Sequence, residues 1–372
     1  MSSRTQLSPT PTAPDPARSA APAGLSPKPT LADVAALAGV SPATASRVIN
    51  GTAKVSGPAR AGVEEAVTRL SYVRQRARST APDRVSSIAA VVCEDGVRLF
   101  ADSFFSRILL GASRELPPGE VQLALLVVRS PADYPSVERY VARGHADGVL
   151  LISTHGRDPL AATLQALAVP TVLAGRPLFP SSHPYVDADN RGGARAAVRH
   201  LLRSGRRVVA TIAGPPDMAV GVDRLLGYRD AIPEADVGGT VAYGDFSLAS
   251  GEHAMARLLA QRPDLDAVFA ASDLMALGAL RTLRRAGRRV PDDVALVGFD
   301  DAPLAQHTDP RLTTVRQPVE EMGIAMTRQL LCRIGDGDGG RAGAGAGTRQ
   351  PHPYQHQHHT VLDTELVVRD SG

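Results

Sequence analysis

Residues 30–56 read TLADVAALAGVSPATASRVINGTAKVS, and the rest of the chain organises around them. Thr30 precedes a run in which Leu31, Val34, Ala35 and Ala38 fall on one helical face, and its hydroxyl can cap the first N–H groups. Gly39 supplies a tight turn. Ser41 can cap a second helix with Pro42 at its first position, where the missing N–H costs nothing. That helix runs from Ala43 to Ile49 and stops at Asn50-Gly51. Two short helices joined by a Gly-centred turn predict a helix-turn-helix, whose second helix lies in the major groove of DNA with its N-terminal residues at the base edges. A third helix, from about Gly57 to Leu70, packs beneath, with Gly62 in its interior at about 1 kcal/mol relative to Ala.

Side-chain chemistry divides the labour on this module. Arg47 can present a bidentate fork to guanine O6 and N7, whereas the Pro42 ring and the Ala43 methyl can make only apolar contact, for example with a thymine methyl. Thr44, Ser46, Asn50 and Ser56 carry short hydroxyl or amide groups suited to phosphate oxygens, which position without specifying. The plainer alternative is that these residues are caps and one exposed face of a small helical bundle.

The charge distribution agrees with a DNA-binding head. The 372 residues carry a net charge of +3, but residues 1–80 hold ten Lys/Arg against four Asp/Glu, a net of +6, and the remainder holds 31 against 34, a net of −3. A basic head can neutralise phosphates while a faintly acidic body does other work. Cys93 and Cys332 are the only cysteines, too few for a disulfide scaffold or a Cys-based zinc site, so a reducing cytoplasm is expected. No apolar run reaches 18 residues, and the N-terminus lacks a charged-then-apolar leader pattern. Residues 1–29 contain seven prolines and read as a disordered tail.

From Ser86 onward the pattern changes. Apolar runs at Ile88–Cys93, Val121–Val128, Gly148–Ile152, Thr171–Leu173, Val208–Ala213, Ala267–Ala271 and Val294–Val297 alternate with helical stretches near 104–116, 135–144, 190–204, 221–231, 248–261, 274–287 and 319–333. Such alternation predicts parallel sheets wrapped by helices, and the region is long enough for two lobes. A helix ending near Ile334 is followed by a Gly/Ala-rich, then His/Gln-rich segment (335–359), read as a flexible insertion before a final strand, Val361–Val368. Its histidines, His352, His356, His358 and His359, are spaced without a fixed geometry and read as solvated spacer rather than metal ligands.

The opening stretch resembles the DNA-binding head of the LacI/GalR family of bacterial transcription regulators. VDADNRGGARAAVRHLLRSGRR (186–207), DRLLGYRDAI (223–232), AVFAASDLMALGAL (267–280), RVPDDVALVGFDDAPLA (289–305) and LTTVRQPVEEMG (312–323) extend the resemblance to the family's periplasmic-binding-protein-like core. It implies an all-α helix-turn-helix head (30–71), a hinge (72–85) and an α/β core of two parallel-sheet lobes (86–372), with lobe 1 at about 86–187 and 317–334 and lobe 2 at about 188–316 and 360–370. It further implies that Pro42, Ala43 and Arg47 read bases and that Thr44, Ser46, Asn50 and Ser56 touch the backbone; Thr30 and Ser41, at the helix starts, join the DNA-binding set. At the hinge the chain departs from the family. Arg74 and Gln75 replace a Pro-Asn pair and no leucine follows Arg78, so Arg69, Arg74, Arg76 and Arg78 are expected to grip phosphates or a narrow groove in place of a leucine wedge.

Such sheets place ligands at the carboxyl ends of their strands. Asp300, Asp273 and Asp189 each follow a predicted strand, where a carboxylate can accept paired sugar hydroxyls; Arg224 can donate to ring or hydroxyl oxygens, and Phe246, Phe104 or Phe105 can stack on an apolar sugar face. Asp273 directly precedes a helix and is read as its cap. The resemblance places Asp300, Arg224, Phe246 and Phe105 at ligand-contacting positions. Ser272 stands where the family usually has Asn, and Gly175 where many members have Asp, which implies an effector that is bulkier than a free monosaccharide or one that is bound differently.

The expected function is an effector-controlled, DNA-binding transcriptional regulator, most readily a repressor, acting as a homodimer on a pseudo-palindromic operator with a saccharide as effector. No cofactor, metal, membrane or tetramerising heptad is expected. An exported solute-binding protein would share the core but not the head. Nothing resembles a nucleophile elbow, a P-loop or a metal triad, so no enzyme is expected.

Overall fold

The computed structural model describes residues 30–50, 55–70, 85–232, 240–339 and 359–372, in two compact units that divide after Arg74. The proline-rich N-terminus, Arg74, Arg76, Arg78 and His352, His356 and His358 lie outside the described residues.

The head has three helices, α1 (Leu31–Leu37), α2 (Pro42–Asn50) and α3 (Gly57–Arg69). Thr30 and Asp33 form a reciprocal capping box: Thr30 Oγ1 accepts the Asp33 N–H at 3.3 Å and the Asp33 carboxylate accepts the Thr30 N–H at 2.7 Å. Gly39 takes φ +64°, a left-handed value that a side chain would oppose, which lets Val40 N–H return to the Ala35 carbonyl. Val34, Ala35, Ala45, Val63 and Ala66 form the core. Small side chains let three short helices meet, and their burial leaves the opposite face of α2 to solvent.

The body begins with β1 (Ser87–Val92), α4 (Gly96–Ala101), α5 (Ser103–Glu115), β2 (Gln122–Val127), α6 (Tyr134–Ala142), β3 (Gly148–Ile152), α7 (Pro159–Ala166), β4 (Thr171–Ala174) and β5 (Tyr185–Ala188). A second lobe follows with α8 (Asn190–Arg203), β6 (Val209–Ala213), α9 (Ala219–Ala231), β7 (Val241–Tyr243), α10 (Leu248–Gln261), β8 (Ala267–Ala270), α11 (Asp273–Arg285) and β9 (Ala295–Val297). The chain ends with β10 (Thr314–Arg316), α12 (Val319–Gly339), β11 (His359–Leu362) and β12 (Glu365–Val367).

Lobe 1 holds a parallel six-stranded sheet in the order β11-β5-β4-β3-β1-β2, and lobe 2 a parallel four-stranded sheet in the order β7-β6-β8-β9. Every residue of β1 and of β3 is buried. Central strands of a parallel sheet are covered on both faces by helices, so they read as continuous apolar runs without alternation. α12 returns to lobe 1 and packs on α5, where glycines on both helices, Gly111 and Gly323, let the two backbones touch.

Three expectations change. The final strand is two strands: β11 runs parallel to β5 in lobe 1, and β12 runs antiparallel to β10. The break at Asp363-Thr364 moves the chain between lobes, with the Asp189 N–H on the Leu362 carbonyl and the Thr364 hydroxyl on the Asp189 carbonyl. Residue 360 therefore starts in lobe 1, not lobe 2. α12 continues to Gly339 rather than ending near Ile334, because glycine weakens a helix by about 1 kcal/mol without forbidding it. His359 is not spacer: it opens β11, with its ring stacked on Tyr185 at 5.1 Å.

Candidate functional site

Two surfaces have the chemistry of sites. On the head, Pro42, Ala43, Ser46 and Arg47 recur at helical spacing on one side of α2, and Ser41, Pro42, Ala43 and Arg47 are exposed. Ser41 Oγ accepts the Thr44 N–H at 3.1 Å, so Ser41 starts the helix while Arg47 stays available at its surface. Ser56 precedes α3 without a side-chain cap bond. Thr30 is engaged in its capping box.

In the body, a cleft with about 720 Å³ of empty space, part of it open to solvent, lies where the strands of the two sheets end. A cleft at strand ends with aromatic side chains and a few convergent polar groups is the usual ground for a small organic ligand. Lobe 1 contributes Arg98 of α4, Asp102, Phe104 and Phe105 at the start of α5, Ser153 after β3, Gly175 and Arg176 after β4, and Asp187 near the end of β5; Asn190 comes from the start of α8. Lobe 2 contributes Met218, Val220 and Arg224 of the α9 region, Phe246 after β7, Ser272 after β8 and Asp300 after β9; Gln317 and Met322 come from the crossover into α12. Ser153, Phe246 and Asp300 have φ of 61°, 68° and 121°. Each such non-glycine conformation costs about 1–3 kcal/mol and aims a side chain off a strand end into the cleft.

Arg224 organises the floor. It is 3% exposed; its Nε donates to Asn190 Oδ1 at 2.9 Å, and its Nη1 donates to the Ala271 carbonyl at 2.6 Å and to Asp300 Oδ1 at 3.2 Å. Its guanidinium lies over the Phe299 ring at 3.7 Å. Asp300 Oδ1 also accepts from Gln317 Nε2 at 2.6 Å. Burial pushes the Asp300 carboxyl up to about 6 against the opposing pull of Arg224. Burial likewise raises Asp102 and Asp187.

The charged lining is balanced. Three arginines, Arg98, Arg176 and Arg224, face three aspartates, Asp102, Asp187 and Asp300. Each arginine already has a carboxylate: Arg98 pairs with Glu94 at 2.6 Å, Arg176 with Asp223 at 2.6 Å and Arg224 with Asp300 at 3.2 Å. Such a surface offers donors and acceptors in quantity, and none of its three arginines stands without a carboxylate. Phe104, Phe105, Phe246 and Met322 supply apolar surface beside it. Polar forks next to aromatic faces match the two sides of a neutral polyhydroxylated ring.

Six of the seven sequence-predicted cleft residues, Phe104, Phe105, Arg224, Phe246, Ser272 and Asp300, line this one cavity. Asp189 does not. It is the N-cap of α8, accepting the Gly192 N–H at 2.8 Å, and the turn sends Asp187 and Asn190 inward instead. Ser272 both lines the cleft and caps α11, accepting the Met275 N–H at 3.2 Å. Asp273, expected to be that cap, is instead fully buried and accepts from Thr314 Oγ1 at 2.6 Å and the Ala302 N–H at 2.8 Å. Arg98 and Asp102 went unread in the sequence, although Asp95 and Asp102 carry the cap signal for the helices that hold them. Among the described residues no group of three or more His, Cys, Asp or Glu is arranged to hold a metal ion, and no helix is long and apolar enough to cross a membrane.

Residues 30–75 match the family described as bacterial regulatory proteins, lacI family, and residues 198–372 match a periplasmic binding protein-like domain. The HTH-type transcriptional regulator CelR of Thermobifida fusca is 46% identical over 319 residues, covering 84% of this chain and 89% of that protein. A solved CelR–cellobiose complex aligns with a TM-score of 0.68 at 45% identity, over 92% of this chain and 100% of the other. The lac repressor dimer bound to operator and the anti-inducer ONPF aligns with a TM-score of 0.64 at 25% identity, over 92% and 98%.

Proposed function

The chain belongs to the LacI family of bacterial transcriptional regulators, and from that premise we propose that it represses transcription from a pseudo-palindromic operator and responds to a neutral disaccharide bound in the cleft. It is a DNA-binding regulator, and the similarity to the CelR–cellobiose complex supports reading its core as sugar-sensing. A two-fold pair of heads doubles a short recognition site, so the working form is a homodimer with one α2 in each of two successive major grooves. Arg47 reads guanine, Pro42 and Ala43 make apolar contact, and Thr44, Ser46, Asn50 and Ser56 hold the backbone. Arg69 and the arginines at 74, 76 and 78 add phosphate contacts. The work is binding rather than catalysis, and it takes place in the cytoplasm beside the DNA.

The observation that carries the effector reading is the charge balance of the cleft, in which Arg98, Arg176 and Arg224 are each matched to a carboxylate beside an aromatic wall. A sugar phosphate would bring added negative charge to arginines that already have carboxylate partners; a neutral sugar would not. Cellobiose, the ligand held by the similar CelR structure, is the natural first probe. Ligand in the cleft favours one arrangement of the lobes, and the heads of the dimer follow through a population shift.

Gel retardation of the chain's own upstream DNA tests this reading. Retardation that cellobiose alters and glucose 6-phosphate leaves unchanged supports it. No retardation with either present or absent contradicts the regulator, and a response only to the phosphate contradicts the neutral effector.

A further inference from the structure

Arg98 stands on α4, a six-residue helix of lobe 1, and reaches the opposite wall of the cleft. Its guanidinium carbon lies 5.1 Å from the centroid of the Phe246 ring in lobe 2. Phe246 is itself fixed, at 5% exposure, against Gly214, where any side chain would collide with the ring. Arg98 is tied at one end only. Nη1 donates to Glu94 Oε1 at 2.6 Å, but Nε is buried and has no hydrogen-bond partner among the described residues. Glu94 Oε1 cannot serve both ends, since it also accepts from Ser153 Oγ at 2.6 Å and meets His155 Nε2 at 3.2 Å. An unmet N–H on a buried cation is costly, so a shift of this cleft-lining side chain that brings its Nε–H an acceptor from the cleft is favoured.

The same Phe246 ring lies 5.8 Å from the guanidinium of Arg224, on the cleft floor. One aromatic side chain is thus flanked by two arginine stations: a deep one built on Arg224, Asp300 and Asn190, and an outer one built on Arg98, Glu94 and Ser153. A one-ring sugar hydrogen-bonded at the floor leaves the outer station unfilled.

We propose that Arg98 is the residue that selects for a second sugar ring, donating from its Nε–H edge to oxygens of that ring while the ring's apolar face lies along Phe246, with Glu94 as the positioning residue. This rests on the reading of the cleft as a saccharide site and specifies its outer half. The orphaned Nε is satisfied when the second ring arrives.

Isothermal titration of the full-length protein with cellobiose and with glucose tests it, using Arg98→Ala and Arg98→Lys. Arg98→Lys keeps the charge opposite Glu94 but removes the Nε–H. Arg98→Ala is expected to weaken cellobiose at least about tenfold, the lower end for a hydrogen bond to a charged group, and to leave glucose affinity within about twofold. Arg98→Lys fails to restore cellobiose affinity. Equal weakening of both sugars by Arg98→Ala, or unchanged cellobiose affinity, overturns the role of Arg98 while leaving the cleft a sugar site. Failure of the unsubstituted protein to bind either sugar overturns both readings. Melting curves of the variants that match the parent confirm that a lost affinity is not a lost fold.

Discussion

Arg224 Nη1 and Asp300 Oδ1 lie 3.2 Å apart on the floor of the cleft, with side chains 4% and 14% exposed. Neither charge is in contact with bulk water to any useful extent, so each depends on the other and on the polar atoms around it. Asp300→Asn removes the carboxylate and leaves the Arg224 cation buried. Breaking such a pair from one side is expected to destabilise the body by about 3–5 kcal/mol. Urea denaturation measures this, and the sugar response of DNA binding is expected to disappear while the head, a separate compact unit, still binds DNA.

His155, next in sequence to the cleft-lining Thr154, joins the two lobes. Its Nδ1 lies 3.0 Å from Asp217 in lobe 2 and its Nε2 lies 3.2 Å from Glu94 in lobe 1, and the Gly156 N–H donates to the Asp217 carbonyl at 2.7 Å beside it. The Glu94 hydrogen bond raises the imidazole pKa most, partial burial opposes it, and Asp217 raises it further. Arg98, bonded to Glu94, is the nearby cation. A raised folded-state pKa means that the native protein binds the proton more tightly than the unfolded chain does. Its contribution is therefore complete below about pH 6.5, the ordinary histidine value, and is lost as pH rises through the raised native value. Denaturation midpoints of the parent are expected to fall across that window more than those of His155→Gln. Parallel profiles for the two proteins contradict the clasp.

Two glycines make opposite predictions. At Gly62 in α3 an added methyl would meet only the Ala38 carbonyl oxygen at 3.6 Å, an ordinary contact, so Gly62→Ala is expected to stabilise the head by about 0.5–1 kcal/mol. At Gly278 in α11 the methyl would run into the Leu248 carbonyl of α10, so Gly278→Ala is expected to cost about 1–3 kcal/mol. Amide exchange in the head and denaturation of the body report the two effects separately.

The fold was legible in the sequence where an element is long or has its own chemistry. The capped, Gly-turned pair α1 and α2 and the unbroken apolar runs of β1 and β3 carry local signals strong enough to read alone. β7 and β10, three residues each, are too short to show a period, and their pairing comes from neighbours far away in the chain. The division of the last strand also has no local mark, because which sheet β11 and β12 join depends on the position of two lobes. In the cleft, Arg224, Asp300 and Phe246 stand in recognisable surroundings. Asp189 misled because a one-residue rotation at a strand-to-helix turn decides which of 187, 189 and 190 points inward.

On the head, Arg47 is exposed on the face of α2 that carries Pro42 and Ala43. Arg47→Ala is expected to weaken binding to the preferred operator by about 1–3 kcal/mol and to relax selectivity at one guanine, with little change on unrelated DNA. Replacement of the arginines at 74, 76 and 78 by Ala is expected instead to lower affinity for all sequences and to flatten the salt dependence by about one unit of slope per lost phosphate contact. Fluorescence anisotropy over a salt series distinguishes the two patterns.

In the proposed function, occupancy of the cleft and binding of DNA by the heads are one coupled equilibrium. Linkage requires that if cellobiose changes operator affinity by some factor, operator DNA changes cellobiose affinity by the same factor. The direct measurement is the cellobiose dissociation constant of the full-length protein, by titration calorimetry, without DNA and with saturating operator. Two different constants are expected, whose ratio equals the ratio of operator affinities measured with and without the sugar. Identical cellobiose constants in the two titrations would contradict the coupling.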